Sequence, residues 1–208
     1  MKRFLFSIAI LASMSAMLFA QADEPESDEN TTFEYETNGK GDQYIKLGLF
    51  GNFPLSFGNP FKLDGNRKLA EGYLYVGGAV EIGYFRYLNN WFALGAELLV
   101  AYNPTIGSNS LVMIPITVGA AMQPSIGKFE FPVALSLGIG FETCQNKKYF
   151  PSPVAKVEAG AFYRITESFS VGTTGLFVYV PQWSMIDGSV HYDYGNFLMV
   201  SVSARYHF

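Results

Sequence analysis

The sequence predicts an all-β fold: an eight-stranded antiparallel up-and-down barrel that crosses a membrane. Three observations predict it. Eight segments alternate in character with the period of two that marks a strand. The connections between them alternate short and long. The charges within the segments gather on one face, and the other face is apolar.

The first segment runs from Tyr44 to Phe53, with Ile45, Leu47, Leu49 and Phe53 opposed to Tyr44, Lys46, Gly48, Phe50 and Asn52. In the second, Tyr73 to Leu88, residues Leu74, Val76, Val80, Ile82 and Tyr84 oppose Tyr75, Gly77, Ala79, Glu81, Gly83 and Phe85. The third, Trp91 to Tyr102, sets Phe92, Leu94, Ala96, Leu98 and Val100 against Ala93, Gly95, Glu97 and Ala101. The fourth is Val112 to Gln123, with Ile114, Ile116, Val118 and Met122 against Thr117, Gly119 and Ala121. The fifth is Phe129 to Phe141, with Phe131, Val133, Leu135, Leu137 and Ile139 against Glu130, Ala134, Ser136, Gly138 and Gly140. The sixth, Val154 to Ile165, sets Val157, Ala159, Ala161 and Tyr163 against Lys156, Glu158, Gly160 and Arg164. The seventh, Phe169 to Val180, loses parity near Gly175, which predicts a bulge there. The eighth is Asn196 to Phe208. Pro115 and Pro132 each remove a ladder donor, so a bulge or a later strand start is expected at both.

The connections at Leu88–Asn90, Pro124–Lys128 and Thr166–Ser168 are short; those at 54–72, 103–111, 142–153 and 181–195 are longer. Lys46, Glu81, Glu97, Glu130, Lys156, Glu158, Arg164 and Arg205 all fall on the small, polar face. The other face holds one charge, Arg86, near a turn, where it reaches headgroups. A soluble ligand-binding barrel would show the reverse, an apolar inside and a charged outside. Lys or Arg facing lipid at mid-bilayer costs about 2–4 kcal/mol, so a bilayer imposes this sorting.

Residues 1–22 have the layout of a secretory signal: Met1-Lys2-Arg3, an apolar run from Phe4 to Phe19, then Ala20-Gln21-Ala22. Cleavage after Ala22 or Ala20 fits. Residues 23–42 hold eight acidic side chains and one base, Lys40, and are expected to form a disordered leader. Residues 43–208 carry 11 basic and 10 acidic side chains and form one domain. That near-neutral balance implies no nucleic-acid partner. With one cysteine, Cys144, there is no internal disulfide. No stretch has the length and apolar character of a membrane helix, so a membrane form must be a closed barrel.

In the eighth segment, Leu198, Val200, Val202, Ala204, Tyr206 and Phe208 share one face. A closing strand with Phe208, Tyr206, Ala204, Val202 and Val200 resembles the C-terminal signal of bacterial outer-membrane β-barrels. The resemblance implies recognition by the barrel-assembly machinery. It also implies outer-membrane lipid as the surroundings, periplasmic termini and extracellular long loops. Residues 80–104 resemble the second hairpin of the OmpW family through Gly83, Tyr84, Asn90, Glu97, Leu98, Leu99 and Pro104. The family's His after the Pro is missing here. This likeness implies a passive channel with a small hydrophobic solute as its partner.

Glu81 and Glu97 flank the Asn89-Asn90 turn and face the lumen. A pairing sum of 178 sets them opposite each other, and 180 sets them on a diagonal. Two close carboxylates require a cation. Lys156 and Arg164 arrive from across the barrel, and Lys46 and Arg205 from the strands that close it. The eight charges are expected to form one internal salt-bridge network that plugs or constricts the lumen. Phe50, Tyr75, Phe85, Trp91, Phe162 and Phe197 are expected to point inward, and His207 to sit in the lumen or at its rim. No metal spacing and no cofactor motif is present, and a monomer is expected. The leading function is a narrow channel for small solutes. A structural or adhesive surface barrel, displaying Trp183, Tyr192, Tyr194 and Phe150, is the alternative. A lipid A-modifying enzyme would need Asp187, Ser189 and His191, with Ser184, from the last loop. No catalytic residue is assigned.

Overall fold

A computed structural model describes residues 38–58, 74–105, 110–144, 147–148, 151–186 and 189–208. The signal segment and most of the acidic leader lie outside the described residues, as does Asp187.

Eight long strands form the wall: β1 (Gln43–Gly58), β2 (Gly77–Tyr87), β3 (Phe92–Pro104), β4 (Ser110–Met122), β5 (Val133–Cys144), β6 (Ser152–Thr166), β7 (Phe169–Ile186) and β8 (Ser189–His207). Each pairs antiparallel with the next, and β1 pairs with β8, so the sheet closes. Among the described residues no helix is long and apolar enough to cross a membrane.

The period of two decides what each face meets. On β5 and just before it, the outer side chains Phe131, Val133, Leu135, Leu137, Ile139 and Phe141 are exposed, while Ala134, Ser136, Gly140 and Glu142 are buried inside. The ten residue steps from Phe131 to Phe141, at about 3.3 Å each and tilted ~40°, span a band of about 25 Å, the height of a bilayer's apolar zone on such barrels. Tyr206 and Phe208 stack on the outer face at the turn end, with ring centroids 6.1 Å apart. Val200 and Val202 are exposed above them, and Ala204 is half-buried.

Several expectations are corrected. No bulge occurs at Gly175; β7 keeps one register with β8 throughout. The sequence pattern breaks parity because Leu176, Val178 and Val180 face an apolar part of the interior, while Phe177 faces out. Register shifts lie instead in β1, between Pro54 and Ser56, and at the start of β7, between Phe169 and Ser170 where it pairs with β6. Pro115 makes no bulge either. The β3–β4 ladder lapses opposite it, between the Leu98–Ile116 and Ala101–Met113 pairs, and resumes in the same register. At Pro132 the strand does start late, at Val133. A two-residue strand, Phe129–Glu130, pairs with β6 in the register that β5 continues. The last long connection is largely a β-hairpin, since β7 and β8 stay paired to Ile186 and Ser189.

Close approach fixes one glycine. A Cβ on Gly138 would lie 1.9 Å from the Ile116 carbonyl oxygen and 2.6 Å from the Thr117 Cα of β4. Backbone cannot yield as a side chain does. Gly138→Ala is therefore expected to lower stability by about 1–3 kcal/mol, read from the urea midpoint of protein folded in lipid vesicles.

Candidate functional site: the filled lumen

Lys46 on β1, Gly83 on β2 and Glu97 on β3 are successive register partners. Gly83 leaves the space over its own strand empty, so Lys46 and Glu97 meet across it; a Cβ there would be 3.2 Å from Glu97 Cγ. Lys46 Nζ donates to Glu97 Oε1 at 2.8 Å and to Glu158 Oε2 at 2.7 Å. It also lies 2.6 Å from Glu81 Oε1 as an ion pair. From the opposite wall, Lys156 Nζ donates to Glu81 Oε2 and Glu97 Oε2, both at 2.9 Å. Ser136 adds a hydrogen bond to Glu97 Oε2 at 2.9 Å. Glu97 pairs with Gly83 and Glu81 with Leu99, which is the diagonal arrangement. The repulsion of the two carboxylates is answered by ammonium groups shared between them. One oxygen each of Glu81, Glu97 and Glu158 falls within a 4.8 Å cluster, a spacing that could hold a metal ion. Here Lys46 and Lys156 already supply its cations.

The remaining predicted charges form a second cluster, not part of one network. Glu130 pairs with Arg164 at 3.0 Å and with Arg205 at 3.6 Å. Arg164 Nη2 donates to His207 Nδ1 at 2.7 Å, so His207 Nε2 carries the proton and faces Ser170 Oγ at 3.0 Å. Arg205 and Lys46 are register partners on adjoining strands, yet their side chains serve different clusters. What parts them is aromatic. Tyr44 and Phe85 stack at 5.1 Å, with Lys46 Nζ 5.8 Å from the Phe85 ring. The Arg205 guanidinium lies 5.0 Å from Tyr44 and 3.6 Å from Phe162. Gln123 ties this layer together: Tyr87 donates to its oxygen at 2.6 Å, Arg205 does so at 3.1 Å, and its amide donates to Tyr44.

The lumen is thus layered. The upper cluster holds three carboxylates against two ammonium groups, and the lower holds two guanidinium groups against one carboxylate. Their surpluses offset, so the eight charges balance. Towards the long-loop end the interior is apolar, built from Phe50, Leu99, Met113, Leu176, Phe197 and Met199 among others. Above that, Asn52 and Asn103 bond at 2.7 Å, and Ser152 donates to Glu142 at 2.7 Å. Phe50, Phe85, Phe162 and Phe197 point inward as expected. Tyr75 and Trp91 do not; both are half-exposed, because they lie beyond the ends of β2 and β3, where strand parity no longer applies. Sequence reasoning missed Gln123, Asn103 and Glu142. Extending the parity of Thr117, Glu97 and Ser136 would have found all three. The side chains of Ser184, Ser189, His191, Tyr192 and Phe150 lie outside those described.

A protein-family model matches residues 24–206. The chain belongs to that family. An uncharacterized protein of Treponema pallidum (strain Nichols) is 25% identical over 212 residues, covering 97% of this chain and 95% of the relative. Neisserial surface protein A superposes with a TM-score of 0.58 at 12% identity, over 81% of this chain and 100% of that one. The outer-membrane protein OprG of Pseudomonas aeruginosa gives 0.52 at 13% identity, over 82% and 97%. The fold is that of the small eight-stranded outer-membrane β-barrels. The apolar outer band and the charged, packed interior are the two faces of that barrel's wall.

Proposed function

We propose that this protein is a plugged outer-membrane barrel, a surface-display scaffold whose lumen does not conduct. The observation that carries the reading is the filled cross-section. The side chains of Lys46, Glu81, Glu97, Lys156 and Glu158 are each at most 4% exposed while lying on the barrel axis side of the wall. A conducting pore wets its charges; these are dry and paired. In this reading the chain is exported by residues 1–22 and is recognised by the assembly machinery through Val200, Val202, Ala204, Tyr206 and Phe208. It sits as a monomer with its short turns towards the periplasm. The long loops and the β7–β8 hairpin face outwards.

The rival is a narrow channel for small solutes, hydrophobic ones included. Conductance of the refolded protein in a planar bilayer separates the two, with Glu81→Gln and Glu97→Gln measured beside it. Silence from well-folded protein is the expected result. Discrete steps whose size changes in the variants would overturn the plug and put those carboxylates on a path.

A further inference from the structure

The strands do not close the turn end alone. Just before β1 the chain bends inward over Asn38-Gly39-Lys40-Gly41-Asp42. Gly41 adopts φ +102°, with nothing within 4 Å of where a Cβ would stand. Its N–H donates to the Tyr87 carbonyl at 2.9 Å, and the Gly39 N–H donates to Asp42 Oδ2 at 2.6 Å. Those bonds turn the chain under the rim instead of prolonging β1. Asn38 then enters the lumen, where it is 6% exposed, and its Oδ1 accepts from Arg164 Nη2 at 2.6 Å.

From this geometry we propose that Asn38–Asp42 is a strap that shuts the turn-end mouth, with the Asn38–Arg164 bond as its latch. Arg164 keeps Glu130 and His207 when Asn38 leaves, so the open state strands no charge. Among the described residues, backbone bonds to Tyr87 fix the strap at Gly41 and Asp42, and the Asn38 side-chain bond holds its inner end. Opening exposes a vestibule of two guanidinium groups against one carboxylate, which attracts anions. The strap closes one end of the same lumen, so the inference rests on the plugged reading above.

A single cysteine at Ser170, in a Cys144→Ser background, reports the mouth. Ser170 is fully buried beside His207. The refolded mature chain in detergent is treated with a negatively charged methanethiosulfonate reagent, and folding is checked by heat-dependent gel mobility. Slow labelling is expected in the parent. Asn38→Ala should raise the rate about tenfold or more, the scale of one hydrogen bond to a charged group. Asn38→Asp, which gives Arg164 a carboxylate, should stay slow. Equal rates in the parent and Asn38→Ala, or a parent as reactive as a free thiol, would overturn the latch. Thr117→Cys, level with the Glu97 cluster, separates the two readings. Labelling there whatever stands at residue 38 means that the plug, not the latch, is wrong.

Discussion

Lys46→Met should destabilise the folded barrel by about 3–5 kcal/mol, the cost of stripping one partner from a buried ion cluster. Lys46 alone touches all three carboxylates of the upper cluster, and Lys156 reaches only two of them. Without Lys46, Glu158 keeps no ammonium group within the cluster. Three like charges would then face one cation in a dry interior. Adding Glu158→Gln removes one of those charges, so Lys46→Met/Glu158→Gln should recover much of the loss. Urea unfolding in lipid vesicles, followed by tryptophan emission and gel mobility, gives both values. A Lys46→Met variant as stable as the parent would mean that the cluster is solvated.

Leu135→Arg should cost about 2–4 kcal/mol, and Phe141→Arg no more than about 1 kcal/mol. Both side chains lie on the outer face of β5, but Leu135 sits inside the apolar band and Phe141 at its edge. Outward Leu135 has Ala120 and Val157 as register partners, so the substituted guanidinium would find no carboxylate in the wall. The contrast between the two positions is what tests the membrane. In water, both substitutions at exposed sites would be near neutral. Vesicle-folded protein, titrated with urea for each variant, supplies the comparison.

Much of this was legible in the sequence because strand parity is local. Lys46, Glu81, Glu97, Glu130, Lys156, Glu158, Arg164 and Arg205 announce their face by their neighbours two residues away. Their partners are not local. Whether Lys46 meets Glu97 or Glu130 depends on the stagger of strands around the closed wall and on the empty place at Gly83. The aromatic partition at Tyr44 and Phe85, which splits the charges into two clusters, depends on the same stagger. The seventh segment misleads for another reason. Parity reading takes an apolar side chain as outward, and Leu176 and Val178 are apolar side chains in an apolar part of the lumen. Asn38 carries no sequence signal at all, since its burial follows from a turn at Gly41 outside any strand.

The upper cluster also bears on how the barrel can form. Lys46 and Glu158 are 112 residues apart in the chain, and Glu97 and Lys156 are 59 apart. Neither pair joins neighbouring strands. A half-built sheet of β1 to β3 would hold Lys46 beside Glu81 and Glu97 with one cation too few, and β6 alone would carry Lys156 and Glu158 without their counterparts across the lumen. Stability is thus withheld from intermediates and delivered when the ring shuts. Such long-range dependence slows folding and makes it all-or-none. Partly inserted chains gain little from their interior until the β1–β8 seam is sealed.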